Sequence, residues 1–168
     1  MDCDPALRIR VLDEADVQAY RAFHLIALSE APTSFGSTYE VEAERSEEEL
    51  RERLRTNCVF AAFDDRCIVG MIVFAQGEGG KLRHRGIVSG FYVDPTRQGL
   101  GIGGSLLDAL IAEARHRVEQ LVLIVTGGNQ SAIGLYEARG FERCGIEPRA
   151  LKHEGAYYDG VMMVRFLT

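Results

Sequence analysis

The chain has 168 residues, 46% of them apolar, with 19 Lys and Arg against 25 Asp and Glu for a net charge of −6. That length buries most of its apolar surface in one core, so residues 1–168 read as a single domain. The acidic balance argues against nucleic acid, whose phosphates need a concentrated basic face, and no run approaches the ~18 apolar residues of a membrane helix. It suits a cationic amine as partner, or simply solubility.

Met1-Asp2-Cys3-Asp4-Pro5 lacks the apolar core of a signal peptide. Cys3, Cys58, Cys67 and Cys144 form no Cys-x-x-Cys pair and have no His at zinc-ligand spacing, so they read as reduced thiols of a cytoplasmic protein with no metal site. Leu7 to Leu12 alternates as a first strand. Asp13 caps a helix to about Ser29, with Asp16 at the third helical position. Ala31 to Thr38 is a loop by composition, and Ser46-Glu47-Glu48-Glu49 is a capping box opening a helix that ends near Arg55. Cys58–Phe63 and Cys67–Ala75 flank Asp64-Asp65-Arg66 as an antiparallel hairpin. A glycine-rich turn over Gln76 to Leu82 leads into a long strand, Arg83 to Val93.

Beyond that strand, Ile102, Leu106, Leu107, Leu110, Ile111 and Ala114 mark one face of a helix. Leu121 to Val125 is wholly apolar and reads as a strand covered on both faces. Asn129 or Ser131 caps the next helix, Gly140 stops it, and Asn129, Ala132 and Tyr136 share one of its faces. A strand over Phe141–Ile146 and a last one from about Asp159 to Leu167 complete the chain, without internal repeat or linker.

The glycines of Gln98-Gly99-Leu100-Gly101-Ile102-Gly103-Gly104 sit where a strand turns into a helix. The first N–H groups of a helix have no partner within it and point outward at the positive end of its dipole. A loop without β-carbons lets a phosphate approach them. A P-loop is excluded, because no lysine stands here; Lys81 and Lys152 are the two in the chain. The dinucleotide fingerprint is excluded by its spacing and by the missing acid about 20 residues on. A turn without ligand is the competing reading.

The hexamer Gln98 to Gly103, preceded by Val93-Asp94-Pro95, resembles the acetyl-CoA motif of the GCN5-related N-acetyltransferase (GNAT) superfamily. Asn129, Tyr136 and the Gly140-Phe141 ending resemble the second block of the same superfamily, and the element order agrees over most of the chain, least over the first 60 residues. The resemblance implies an α/β (α+β) fold: a mixed, mostly antiparallel seven-stranded sheet with a central V-shaped splay, flanked by about four helices. It implies acetyl-CoA as cosubstrate, bound by Gln98, Gly99, Leu100, Gly101, Ile102, Gly103, Gly104 and Ser105. It further implies that Phe91, Tyr92 and Val93 pair with pantetheine like an added strand, Gly90 being the bulge that opens the splay. A Val93 N–H then serves as oxyanion donor.

Amide formation from a thioester also needs a deprotonated amine and a protonated leaving thiolate. The resemblance implies Tyr136 as general acid toward sulfur and Asn129 as a partner of the pantetheine arm or of a water. Arg139 reads as a cofactor-phosphate contact or as a solvated helix charge. The general base stays open: many relatives carry an acid where Ser89 and Gly90 stand here, and a water chain, Glu40, His84 or Glu154 are substitutes. Phe35, Tyr39, Glu40 and Tyr157 read as substrate contacts for a cationic amine, or as loop packing. Direct transfer to a primary amine of a small molecule or peptide is the first functional reading. Protein lysine or N-terminal acetylation and a non-catalytic acyl-CoA-binding module are the alternatives. The resemblance makes a homodimer through the C-terminal strands an option, which the poor alternation of Val161 to Phe166 leaves undecided; acyl groups longer than acetyl stay open.

Overall fold

In the computed structural model, which describes residues 7–168, the N-terminal helices start where the capping residues put them; the readings of Met1 to Pro5 and of Cys3 lie outside the described residues. Asp13 accepts from Ala15 N at 2.8 Å while Asp16 accepts from Asp13 N at 2.9 Å. This box turns the chain through a short 3-10 segment into α1 (Val17–Glu30). A short helix not anticipated, α2 (Tyr39–Ala43), is capped by Thr38, whose hydroxyl accepts from Val41 N at 3.3 Å. The Ser46/Glu49 box opens α3 (Glu47–Thr56) as expected.

The strands are β1 (Arg8–Val11), β2 (Cys58–Asp64), β3 (Cys67–Gln76), β4 (Arg85–Val93), β5 (Gln120–Thr126), β6 (Glu142–His153) and β7 (Ala156–Phe166). They form one sheet in the order β1-β2-β3-β4-β5-β7-β6, antiparallel except between β4 and β5. With α4 (Ile102–Ala114) and α5 (Gln130–Glu137) there are five helices rather than about four, the difference being α2.

β4 and β5 pair only through Arg85–Gln120, Gly86–Leu121 and Ile87–Val122. Beyond Ile87, β5 stays with β7 and β4 with β3, so the sheet opens. Opposite the opening, Met71–Val73 of β3 faces Ser89–Tyr92 of β4, one residue longer. The extra residue is accommodated at Gly90, with φ +58°, where a Cβ would stand 2.8 Å from Val73 Cγ2. A bulge increases local twist and bends its strand, and this one bends β4 away from β5.

Two cores flank the sheet. On one face α4 and α5 bury Leu106, Leu107, Leu110 and Ile133 against Leu121 and Met163. At about 2 kcal/mol for each buried leucine, the three leucines of α4 pin the helix whose first turn holds the glycines. On the other face α1 and α3 bury Tyr20, Phe23 and Leu50 against Val59, Ala61 and Met71. That second layer stops at β4. Ile124 of β5 is therefore 55% exposed, and the expectation of a strand covered on both faces fails there.

The C-terminal strands are longer than expected: β6 runs to His153 and β7 begins at Ala156, not near Asp159. Residues 150–158 are a hairpin, closed by Glu154 and Gly155 at φ +48° and +79°, the left-handed pair of a two-residue turn. Composition hid it, because Pro148, Arg149 and Glu154 interrupt the alternation.

Candidate active site

β4 hands the chain to α4 through a 3-10 turn, Pro95–Arg97, in which Asp94 accepts from Thr96 N at 2.8 Å. Gly99 and Gly101 follow with φ +80° and +77°, and nothing lies within 4 Å of where their Cβ atoms would stand. Ser105 N donates to Gly101 O at 3.0 Å. The amides ahead of it, at Ile102, Gly103 and Gly104, have no acceptor within the helix. They face a groove of about 650 Å³ at the positive end of the α4 dipole.

Of the expected cofactor residues, Phe91, Tyr92, Val93, Gln98, Gly99, Gly101, Ile102, Gly103, Gly104 and Asn129 line that groove. Leu100 points to solvent and Ser105 lies outside the walls. Arg139 does not line it either: its guanidinium packs on Gly104 and donates to Asp108 at 2.9 and 3.3 Å. Asp94 N donates to Val69 O of β3 at 2.9 Å. Donors alternate along a strand, so the Val93 N–H points the other way, into the splay. Sequence reasoning missed Glu30, at the end of α1, which accepts from the Tyr92 hydroxyl on the groove wall. Burial and that carboxylate push the Tyr92 phenol well above its ordinary range.

α5 presents the second set. Asn129 caps it, its Oδ1 accepting from Ala132 N at 3.1 Å, while its side-chain nitrogen has no partner among the described residues. At the other end, Phe141 N donates to Tyr136 O at 3.1 Å and Gly140 N to Glu137 O at 3.0 Å, with Gly140 at φ +77°. These are the two bonds of a Schellman stop. The stop folds the Phe141 ring edge-on to Tyr136, centroids 5.5 Å apart, with Phe91 on another side at 5.8 Å. Tyr136 is 5% exposed, and its hydroxyl has no hydrogen-bond partner among the described residues. Burial raises the phenol far above its ordinary range, so it stays protonated.

Tyr136, expected among the cofactor contacts, lies outside the groove walls; with Phe91 and Asn129 it lines a second cavity of about 280 Å³ across the splay. Its walls come from the α1–α2 loop (Thr33, Ser34, Phe35, Gly36), from β4, from β5 and from the β6–β7 hairpin. Phe35 is in place among the expected substrate contacts. Tyr39, Glu40 and Tyr157 are not: all lie outside the walls, Tyr157 on the opposite face of β7 beneath Arg149 and Lys152, at 4.8 and 5.1 Å. Strand alternation puts Tyr158 and Gly160 into the cavity instead. Of the substitute bases, Glu40, His84 and Glu154 all lie elsewhere.

Two acidic residues that the sequence reading did not single out, Glu147 and Asp159, contribute to the walls, and Glu147 shares the cavity face with Gly160. Between Glu147–Gly160 and Leu151–Tyr158 the β6 register slips by two residues, with Arg149 at φ +53°. Asp159 Oδ1 accepts from Arg149 N at 2.8 Å and closes this bulge. Reading the last strand from Ala156 would have placed Tyr158 and Gly160 on one face and exposed the pattern.

The loop forming the first wall is anchored by Glu42, 4% exposed. Its carboxylate accepts from Ser37 Oγ at 2.9 Å, Arg45 Nε at 3.1 Å and Arg53 Nη1 at 2.9 Å, with His24 Nδ1 at 3.9 Å. Burial works against the charge, but these donors win and hold Glu42 at about 2. His24, desolvated, is pushed down and packs between Tyr20 and Phe35.

Among the described residues no group of His, Cys, Asp and Glu is arranged to hold a metal, and no helix is long and apolar enough to cross a membrane. A glycine cradle at a helix N-terminus, a split mixed sheet and a buried tyrosine at the split together define an acyl-CoA-using architecture. The sequence matches the model of the acetyltransferase (GNAT) family over residues 23–141, and the chain belongs to that family. It is 36% identical over 73 residues to an L-methionine sulfoximine/L-methionine sulfone acetyltransferase of Pseudomonas aeruginosa, covering 43% of this chain and 42% of that one. It is 42% identical over 64 residues to the N-alpha-acetyltransferase RimI of Mycobacterium tuberculosis, covering 38% and 39%. The matches thus span less than half the length of the curated relatives. A putative acetyltransferase of Salmonella typhimurium, solved with its cofactor acetyl-CoA, superposes with a TM-score of 0.82 at 22% identity, covering 96% of this chain and 94% of that one.

Proposed function

We propose that the protein transfers an acetyl group from acetyl-CoA directly to a primary amine of a small molecule or peptide. The observation that carries this reading is Tyr136, whose ring is buried while its hydroxyl, without a partner among the described residues, opens on the cavity beside the groove. Acetyl-CoA fits the groove on three counts. The first-turn amides of α4 lack acceptors, the left-handed glycines leave open space above them, and the inner edge of β4 lacks a strand partner.

Acetyl-CoA supplies an activated acyl thioester. The amides of Ile102 to Gly104 are placed to hold anionic phosphate, and the open edge of β4 accepts an extended amide-bearing chain as an added strand. The Val93 N–H offers a donor where negative charge develops on oxygen. Tyr136 holds a proton at Oη for a leaving sulfur, and Asn129, whose side-chain nitrogen is unpaired among the described residues, lines the same space. Phe35, Phe91 and Tyr158 limit water around it. N-terminal acetylation of a protein is the second reading, favoured by the likeness to the mycobacterial N-alpha-acetyltransferase; the walled cavity favours the small acceptor.

Calorimetric titration with acetyl-CoA, coenzyme A and NADH, followed by an amine library read by thiol release, tests the reading. Selective binding of the coenzyme A species, lost in Gly101→Glu, supports it. Absence of binding by either species removes it.

A further inference from the structure

The cavity beside Tyr136 carries a charge pattern that no similarity to another protein assigns. Its walls contain Glu147 and Asp159 and no Lys, Arg or His. Glu147 makes no ion pair or hydrogen bond among the described residues. A Cβ at Gly160, on the cavity floor, would stand 3.8 Å from Glu147 Cβ and 3.0 Å from Ala150 Cβ, so Glu147 rises from the cavity side of β6. The cations of this hairpin are turned away: Arg149 and Lys152 both lie over the Tyr157 ring on the far face. The bulge at Pro148–Ala150 produces this sorting by re-aiming the strand, which is how bulges act beside binding sites. A second, independent sign of a ligand is the unpartnered Tyr136 hydroxyl in the same cavity.

Resting on the acetyltransferase reading, we infer that the acceptor is an α,ω-diamine or a related amine bearing a second positive charge and no carboxylate, whose far ammonium is held by Glu147. An acceptor with a carboxylate meets a like charge and no counter-charge on the cavity walls, and discrimination comes as much from that repulsion as from the attraction. In the transfer the neutral near amine forms the N–C bond as the C–S bond breaks. The sulfur leaves as thiol with the Tyr136 proton. The new ammonium gives one proton, through water, back to the phenolate, leaving amide and free thiol.

The test uses α,ω-diamines of three to six carbons, each against the monoamine and the ω-amino acid of the same length. Thiol release is read with acetyl-CoA, and calorimetry reads amine binding to the protein alone and with coenzyme A. Expected are binding of the diamine without acetyl-CoA and a kcat/KM order of diamine, monoamine, amino acid. An exposed ion pair sets the first step at about fivefold; the second is larger. Glu147→Gln should bring the diamine-to-monoamine ratio toward one. Equal or better use of the amino acid, an unchanged ratio in Glu147→Gln, or no turnover of any probe by a protein that binds acetyl-CoA overturns the diamine assignment alone. Failure to bind either coenzyme A species overturns the acetyltransferase reading and this inference with it.

Discussion

Replacing Glu42 by Gln should cost the fold about 3 kcal/mol at neutral pH and remove much of its acid sensitivity. The carboxyl is held at about 2 against an ordinary 4.5. Two and a half units at about 1.36 kcal/mol each come to roughly 3 kcal/mol. Loss of one member of a buried ion cluster costs about 3–5 kcal/mol, and the lower end applies because Arg45 and Arg53 keep 34% and 26% of their side-chain surface. The sign follows from a folded pKa below the unfolded one. The stabilisation is complete above about pH 4.5 and drains away as pH falls toward 2. Urea unfolding at pH 7 and pH 3 measures both effects. The wild type should lose stability between those points more steeply than Glu42→Gln, and the variant should melt roughly 6–12 °C lower at pH 7. A variant within about 1 kcal/mol of wild type at pH 7, with an equal loss at pH 3, would refute the reasoning.

Tyr136→Phe should lower kcat by about a hundredfold with the acetyl-CoA dissociation constant nearly intact, since the hydroxyl holds no protein bond; unchanged kcat would remove the acid role. Because burial pushes that phenol up, kcat should rise with pH as the acceptor amine loses its proton, with no descending limb below pH 9. Gly101→Glu places a carboxylate at the helix N-terminus and a side chain at φ +77°, and calorimetry should show acetyl-CoA binding weakened more than a hundredfold. Gly90→Ala should destabilise by roughly 2 kcal/mol, from the left-handed backbone and the 2.8 Å approach to Val73 Cγ2; a denaturation midpoint equal to wild type would show that the bulge tolerates a side chain.

Features set by short-range chemistry were legible in the sequence. The Asp13 and Ser46 caps, the helix stop at Gly140 and the cradle at Gly99 and Gly101 each depend on a few neighbouring residues, and each stands where the residue types put it. The acceptor side was less legible, because it depends on long-range register. Tyr157 and Tyr158 are neighbours in the chain, and only the pairing of Tyr158 with Leu151 decides which faces the cavity. Glu147 gains its position from a bulge whose defining contact joins Arg149 to Asp159 across the hairpin. Arg139 reads from its place after Tyr136 as a phosphate contact or a solvated helix charge, and only the fold shows that Asp108 of α4 holds it.

The split between β4 and β5 leaves a raw strand edge in the middle of the molecule rather than at its rim. Rim edges are blunted by lysine, proline or short length. Here Phe91, Tyr92 and Val93 carry no charge, and charges on them would spoil the groove. The glycine loop and the start of α5 line the groove beside this edge. In the proposed function the bound cosubstrate becomes the missing rung of the ladder. Amides of the inner edge should then exchange slowly with solvent only while it is in place, so that cosubstrate binding covers the edge as well as feeding the reaction.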